Sequence, residues 1–134
     1  MTRYQIARIL AGVSAFGFFF EAGLHTSEYR RVVLQAQRGF SGLVPLLSAL
    51  WLAFGAAMLV LGAVVALVAL ARATGGRWIL ALASCFPLAT VLLQLHFLEF
   101  TRSTAILSFI VVISLGAAIA FPSVPQPVAA SAGA

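Results

Sequence analysis

Four long apolar runs, separated by short polar segments, dominate the pattern along the chain. They cover about residues 5–25, 43–71, 78–100 and 104–121. Each run is close to or above the roughly 20 residues that a helix needs to cross the hydrocarbon core of a bilayer. The pattern therefore predicts one all-α domain over residues 1–121, an integral membrane four-helix bundle with up-down-up-down topology. The Pro- and Ala-rich residues 122–134 have no periodicity and are predicted to form a flexible tail.

The segment between the first two runs, residues 26–42, has a different pattern. Tyr29, Val32 and Ala36 fall at helical spacing on one face, and the arginines of the segment fall mainly elsewhere. This distribution is typical of a helix that lies in the headgroup layer. The sequence therefore predicts a short interfacial amphipathic helix between helices 1 and 2.

Composition supports a membrane setting. The chain is 63% hydrophobic and only 8% charged, whereas a soluble domain carries roughly a quarter charged residues. The net charge of +5 comes from eight arginines and three glutamates, and the arginines are scattered and mostly flank the apolar runs. Arginines placed in this way are typical of headgroup anchoring rather than of a phosphate-binding surface. We therefore expect the partner to be the lipid bilayer and not nucleic acid.

The distribution of arginines leaves the orientation balanced. Up-down topology places four arginines on each side of the membrane: Arg3, Arg8, Arg72 and Arg77 on one side, and Arg30, Arg31, Arg38 and Arg102 on the other. The free amino terminus adds a positive charge to the first side, which favours a cytoplasmic location for both termini. The complete absence of lysine is typical of a GC-rich genome, so we expect a bacterial inner membrane.

Every acidic residue and both histidines lie in two short segments of the sequence, residues 21–28 and 94–99. Each segment lies at the carboxyl end of its predicted helix, and helices 1 and 3 run parallel in an up-down-up-down bundle. Neighbours on a helix face are three or four residues apart. The sequence therefore predicts a polar cluster at one end of the bundle, formed by Glu21, His25, His96 and Glu99.

Three interpretations of this cluster are open. The first is structural, with the polar groups pairing between helices and fixing their register. The second is a cofactor site, with the four residues as ligands of zinc or iron, or with the two histidines as axial ligands of a haem. The third is acid–base chemistry on a lipophilic substrate such as a quinone, a sterol or an isoprenoid.

The sequence favours a non-enzymatic role. It contains no Gly-rich phosphate loop, nucleophile elbow or Cys-x-x-Cys motif, and the paired Glu-x-x-His motif of helical metal sites is absent. We therefore expect a small multi-pass accessory or scaffold-like subunit, in a larger membrane complex or a homo-oligomer, with a structural Glu/His cluster. The alternative is a metal- or haem-binding protein, or an acid–base enzyme, acting at the same four residues.

Overall fold

The computed structural model describes residues 1–39, 41–71, 75–97 and 100–122. Glu99 and residues 123–134 of the predicted tail lie outside the described residues. The elements are listed in chain order: α1 (Arg3–Gly39), a 3₁₀ turn (Ser41–Leu43), α2 (Val44–Leu70), α3 (Gly76–Phe97) and α4 (Arg102–Ala120). All four helices are long and apolar enough to cross a membrane, so the prediction of an all-helical chain with four such helices is confirmed.

Local sequence signals explain where the later helices begin. Pro45 lies in the first turn of α2, where its missing N–H costs no helical hydrogen bond. Gly75 adopts a φ of 88° directly before α3, a conformation that glycine reaches without steric cost. Thr101 caps α4, because its hydroxyl accepts from the Thr104 backbone N–H at 3.1 Å and the Thr104 hydroxyl accepts from the Thr101 N–H at 3.2 Å. This reciprocal pair is a capping box.

Helix α1 continues through the segment in which a separate interfacial helix is predicted. The hydroxyl of Thr26 donates to the Ala22 carbonyl at 2.8 Å, and that of Ser27 donates to the Leu24 carbonyl at 2.7 Å. Both hydroxyls therefore bond back into the same helix instead of capping a new one. The 37 residues of α1 extend for about 55 Å, so this helix is far longer than the roughly 30 Å hydrocarbon core.

The four helices pack unevenly. Helix α1 packs against α2 and α4, and α3 packs against α4, whereas α2 and α3 contact each other sparingly. The buried face of α1 consists mostly of small residues, including Ala7, Ala11 and Ala15. Small residues allow helix backbones to approach closely. The core therefore lies along α1, and large apolar side chains cover much of the outer surface.

Hydrogen bonds join opposite ends of neighbouring helices. Near the start of α1, the Arg8 guanidinium donates to the carbonyls of Ala69 and Leu70 at 2.6 and 3.3 Å. These carbonyls belong to the last turn of α2, where a helix has no partners of its own for them and where positive charge is favourable. In the first half of α1, the hydroxyl of Ser14 shares a hydrogen bond with that of Ser114 in α4.

The close packing of α1 on α4 can be tested by adding a methyl group at a glycine of α1. A methyl group added at Gly17 would lie 2.8 Å from Cγ1 of Ile110, whereas one added at Gly12 would meet nothing within 4 Å. We expect Gly17→Ala to destabilise the protein by about 1–3 kcal/mol through overpacking. Gly12→Ala should leave stability unchanged or raise it, because alanine favours the helix. Thermal unfolding in detergent micelles measures both, and equal melting temperatures would contradict this packing.

Candidate functional site

Glu21 is the buried acidic residue of the site. Its side chain is only 2% exposed and turns from α1 towards the start of α4, where the Ser103 hydroxyl donates a hydrogen bond to Oε1. The other carboxyl oxygen, Oε2, is buried without a hydrogen-bond partner among the described residues. Arg102 is near enough to interact electrostatically with the carboxyl group. Glu21 therefore ties α1 to the first turn of α4.

A polar network extends from this bond to α3. The Gln94 side-chain amide donates to the Ser103 hydroxyl at 3.4 Å, and the buried Thr104 hydroxyl donates to the Gln94 side-chain oxygen at 2.8 Å. Since Gln94 belongs to α3, the four residues Glu21, Gln94, Ser103 and Thr104 connect α1, α3 and α4. We call this set the polar network.

His25 lies one turn after Glu21 but contacts a different helix. Its ring stacks on that of Trp51 in α2, with centroids 3.9 Å apart and planes inclined by 13°. The Trp51 indole N–H donates to the His25 carbonyl at 2.8 Å, and His25 Nε2 lies 3.1 Å from the Trp51 carbonyl. Because a carbonyl only accepts, Nε2 carries the hydrogen, and in the neutral ring Nδ1 bears the lone pair.

A pocket of about 240 Å³ lies beside His25, between α1, α2 and α3. Its residues are mainly apolar or aromatic, with polar groups at one histidine, one threonine and one glutamine: His25, Leu47, Leu50, Trp51, Phe54, Thr90 and Gln94. Gln94 belongs both to the pocket and to the polar network. Glu21 does not line the pocket, so Glu21 and His25, two members of the predicted cluster, lie in different environments.

Of the two other predicted site residues, the structure describes only His96, and it does not bring His96 to Glu21 and His25. His96 is exposed, and its ring meets the edge of Phe97 at 4.5 Å between centroids. His96 lies two positions after Gln94, which corresponds to about 200° around a helix, so when Gln94 turns inward His96 turns outward. Glu99 lies outside the described residues. Within the described ranges, no group of three or more His, Cys, Asp or Glu is placed to hold a metal ion.

Sequence reasoning did not identify two members of the polar network, Gln94 and Ser103. Gln94 interrupts an apolar run, and a lone amide in a membrane helix is a signal for an interhelical hydrogen bond. Ser103 carries no comparable signal, because membrane-helix hydroxyls commonly bond to their own backbone. Thr90 and Ser108 do so here, donating to the carbonyls of Phe86 and Thr104.

No protein-family model, curated protein or solved structure matches this chain at a significant level.

The mutual bonds between His25 and Trp51 predict the effect of removing one of them. Trp51→Phe keeps an aromatic ring beside His25 but removes the indole N–H, which leaves the His25 carbonyl without this donor. We expect a loss of about 0.5–1.5 kcal/mol in the free energy of unfolding, the usual net contribution of one hydrogen bond. The matched control is Trp78→Phe, since Trp78 is 70% exposed. An equal loss in both variants, measured by thermal unfolding in micelles, would argue against the His25–Trp51 contact.

Proposed function

We propose that this chain is a small integral membrane protein with an accessory or scaffold-like role, as a subunit of a larger membrane complex or of a homo-oligomer. Four helices that are long and apolar enough to cross a membrane support the membrane setting. The observation that carries the structural role is the partly buried hydrogen bond from Ser103 to the buried Glu21, with Gln94 linking it to α3. Its function is to hold one end of the bundle in a defined register.

Energetics favours this role for the polar network. A buried polar group without a partner costs free energy in protein or in lipid. Polar groups that pair between membrane helices contribute only about 0.6 kcal/mol on average, so their main effect is on specificity. A slide of α1 along α4 would separate Glu21 from Ser103 and leave the carboxyl group buried without a donor. The network therefore favours one alignment of α1, α3 and α4.

The contacts between helix ends support the up-down-up-down topology. Arg8, near the start of α1, bonds to the end of α2, whereas His25, further along α1, contacts Trp51 near the start of α2. In this arrangement the last part of α1, residues 26–39, extends beyond the hydrocarbon core and carries Arg30, Arg31 and Arg38 at headgroup level. Both termini then lie on the opposite, cytoplasmic side of a bacterial inner membrane.

The surface of α2 supports a role in assembly. The helix contains no charged residue over its 27 positions, and it contacts α3 sparingly. Leucine and valine side chains such as Leu59 and Val60 are exposed along it. Such a surface suits lipid or a helix of another subunit. The metal, haem and acid–base alternatives have no comparable support among the described residues, since His96 is exposed and Glu21 is outside the pocket.

The structural role predicts coupling between Glu21 and Ser103. Ser103→Ala removes the donor to Glu21, and we expect it to destabilise the protein by about 1–3 kcal/mol, the cost of a buried group left unsatisfied. In a Glu21→Leu background the same substitution should cost much less, because the carboxyl group is gone. The double-mutant cycle is measured by thermal unfolding in micelles.

Glu28→Gln is the matched control for the loss of a carboxylate. Glu28 pairs with Arg31 on an exposed part of α1, and exposed ion pairs contribute roughly 0–1 kcal/mol. Additive effects of Ser103→Ala and Glu21→Leu would refute the structural role of the network.

The assembly role predicts that α2 forms a subunit interface. We expect native mass spectrometry of gently extracted protein to show species heavier than one chain. Val60→Gln should weaken this association because Val60 lies on the exposed surface of α2. Val112→Gln on α4 is the matched control and should not weaken it, since the two valines are similarly exposed, at 62% and 66%. Detection of single chains only, both by native mass spectrometry and by crosslinking in the membrane, would exclude the assembly role.

A further inference from the structure

The pocket beside His25 opens between two helices that barely meet. Leu50 and Phe54 line it from α2, and Thr90 and Gln94 line it from α3. These two helices contact each other sparingly, so the pocket occupies a gap in the side of the bundle. In a membrane, such a gap faces the acyl chains, and a compound dissolved in the bilayer reaches the pocket without passing through water.

The size of the pocket limits what it can hold. An apolar cavity of about 150 Å³ is large enough for benzene, and this pocket measures about 240 Å³. It therefore has room for a substituted single ring or a compact two-ring system. The open side provides an exit for a longer substituent, which would then lie among the lipid chains.

The walls favour a ring over an acyl chain. His25 lies between two aromatic neighbours, with ring centroids 3.9 Å from Trp51 and 4.5 Å from Phe54. The ring of Phe54 in turn lies 5.6 Å from that of Phe86 in α3. Aromatic side chains prefer offset-stacked or edge-to-face contacts with other rings. An acyl chain would fill the volume but would make none of these contacts.

Among the described residues, the polar groups that line the pocket retain unused hydrogen-bonding capacity. The Thr90 hydroxyl donates to the Phe86 carbonyl, so its oxygen is still able to accept. Gln94 uses one amide hydrogen on Ser103, and a side-chain amide has a second one to donate. In its neutral form, His25 Nδ1 accepts. A ring compound with carbonyl oxygens suits the donor, and one with hydroxyl groups suits the two acceptors.

We propose that this pocket binds a lipid-soluble ring compound that carries carbonyl or hydroxyl oxygens, of the quinone or phenol class. The proposal rests on the membrane setting of the proposed function, but it goes beyond the structural role of the polar network and does not depend on it.

Trp51 provides a reporter inside the pocket. In the Trp78→Phe variant it is the remaining tryptophan, since the chain has two. With this variant in phosphatidylcholine nanodiscs, titration with the naphthoquinone menadione should quench the fluorescence to a plateau. The Trp51→Phe variant keeps Trp78, which lies at the start of α3, at the end remote from Gln94. Its fluorescence should fall without saturation, because menadione then quenches only by partitioning into the bilayer.

A pocket-filling substitution separates binding from partitioning. Thr90→Phe should raise the menadione concentration at half-saturation at least tenfold, whereas Leu92→Phe on the exposed side of α3 should leave it unchanged. Melting temperatures of both variants establish that they are folded. Non-saturating quenching of Trp51, or a half-saturation point that Thr90→Phe does not move, would overturn the proposal. Either result leaves the Glu21–Ser103 double-mutant cycle unaffected, so the two proposals fail independently.

Discussion

The burial of one carboxyl group is the constraint on which the rest of this structure depends. Glu21 lies on the packed face of α1, almost wholly removed from solvent, and a carboxyl group in that position needs hydrogen bonds from its neighbours. Ser103 supplies one, the Gln94 side-chain amide donates to Ser103, and the Thr104 hydroxyl donates to the side-chain oxygen of Gln94. A slide of α1 along α4 would separate the carboxyl group from Ser103, so under the proposed function this bond favours one alignment of the helices.

At this end of the bundle, two adjacent turns of α1 contact different helices. Glu21 faces α4 and completes the polar network, whereas His25 faces α2 and completes an aromatic cluster with Trp51 and Phe54. Gln94 belongs to both surroundings, since it bonds to Ser103 and also lines the pocket. A ligand bound beside Gln94 would therefore lie one side chain away from the residues that align the helices.

Hydropathy predicted the four helices well because each membrane span must satisfy its own backbone in a long apolar run. The spacing of the polar residues placed Glu21 in a cluster at one end of the bundle, but it did not show that Ser103 would be its hydrogen-bond partner. The rotation of α3 about its axis turns His96 outward. This rotation is hard to predict from the residues before Pro87, because a proline inside a helix can kink it. The continuation of α1 was missed because the pattern of polar and apolar residues changes at residue 26, whereas the hydroxyls of Thr26 and Ser27 bond back into the same helix.

The uneven packing has a mechanical consequence. Two helix pairs, α1–α2 and α3–α4, are joined mainly by the contact between α1 and α4. On the other side of the bundle, α2 and α3 make few contacts with each other. Lateral stretching or compression of the bilayer is therefore opposed by few contacts between α2 and α3 and by many contacts between α1 and α4. The width of the opening between α2 and α3 is therefore expected to follow the tension and thickness of the surrounding lipid.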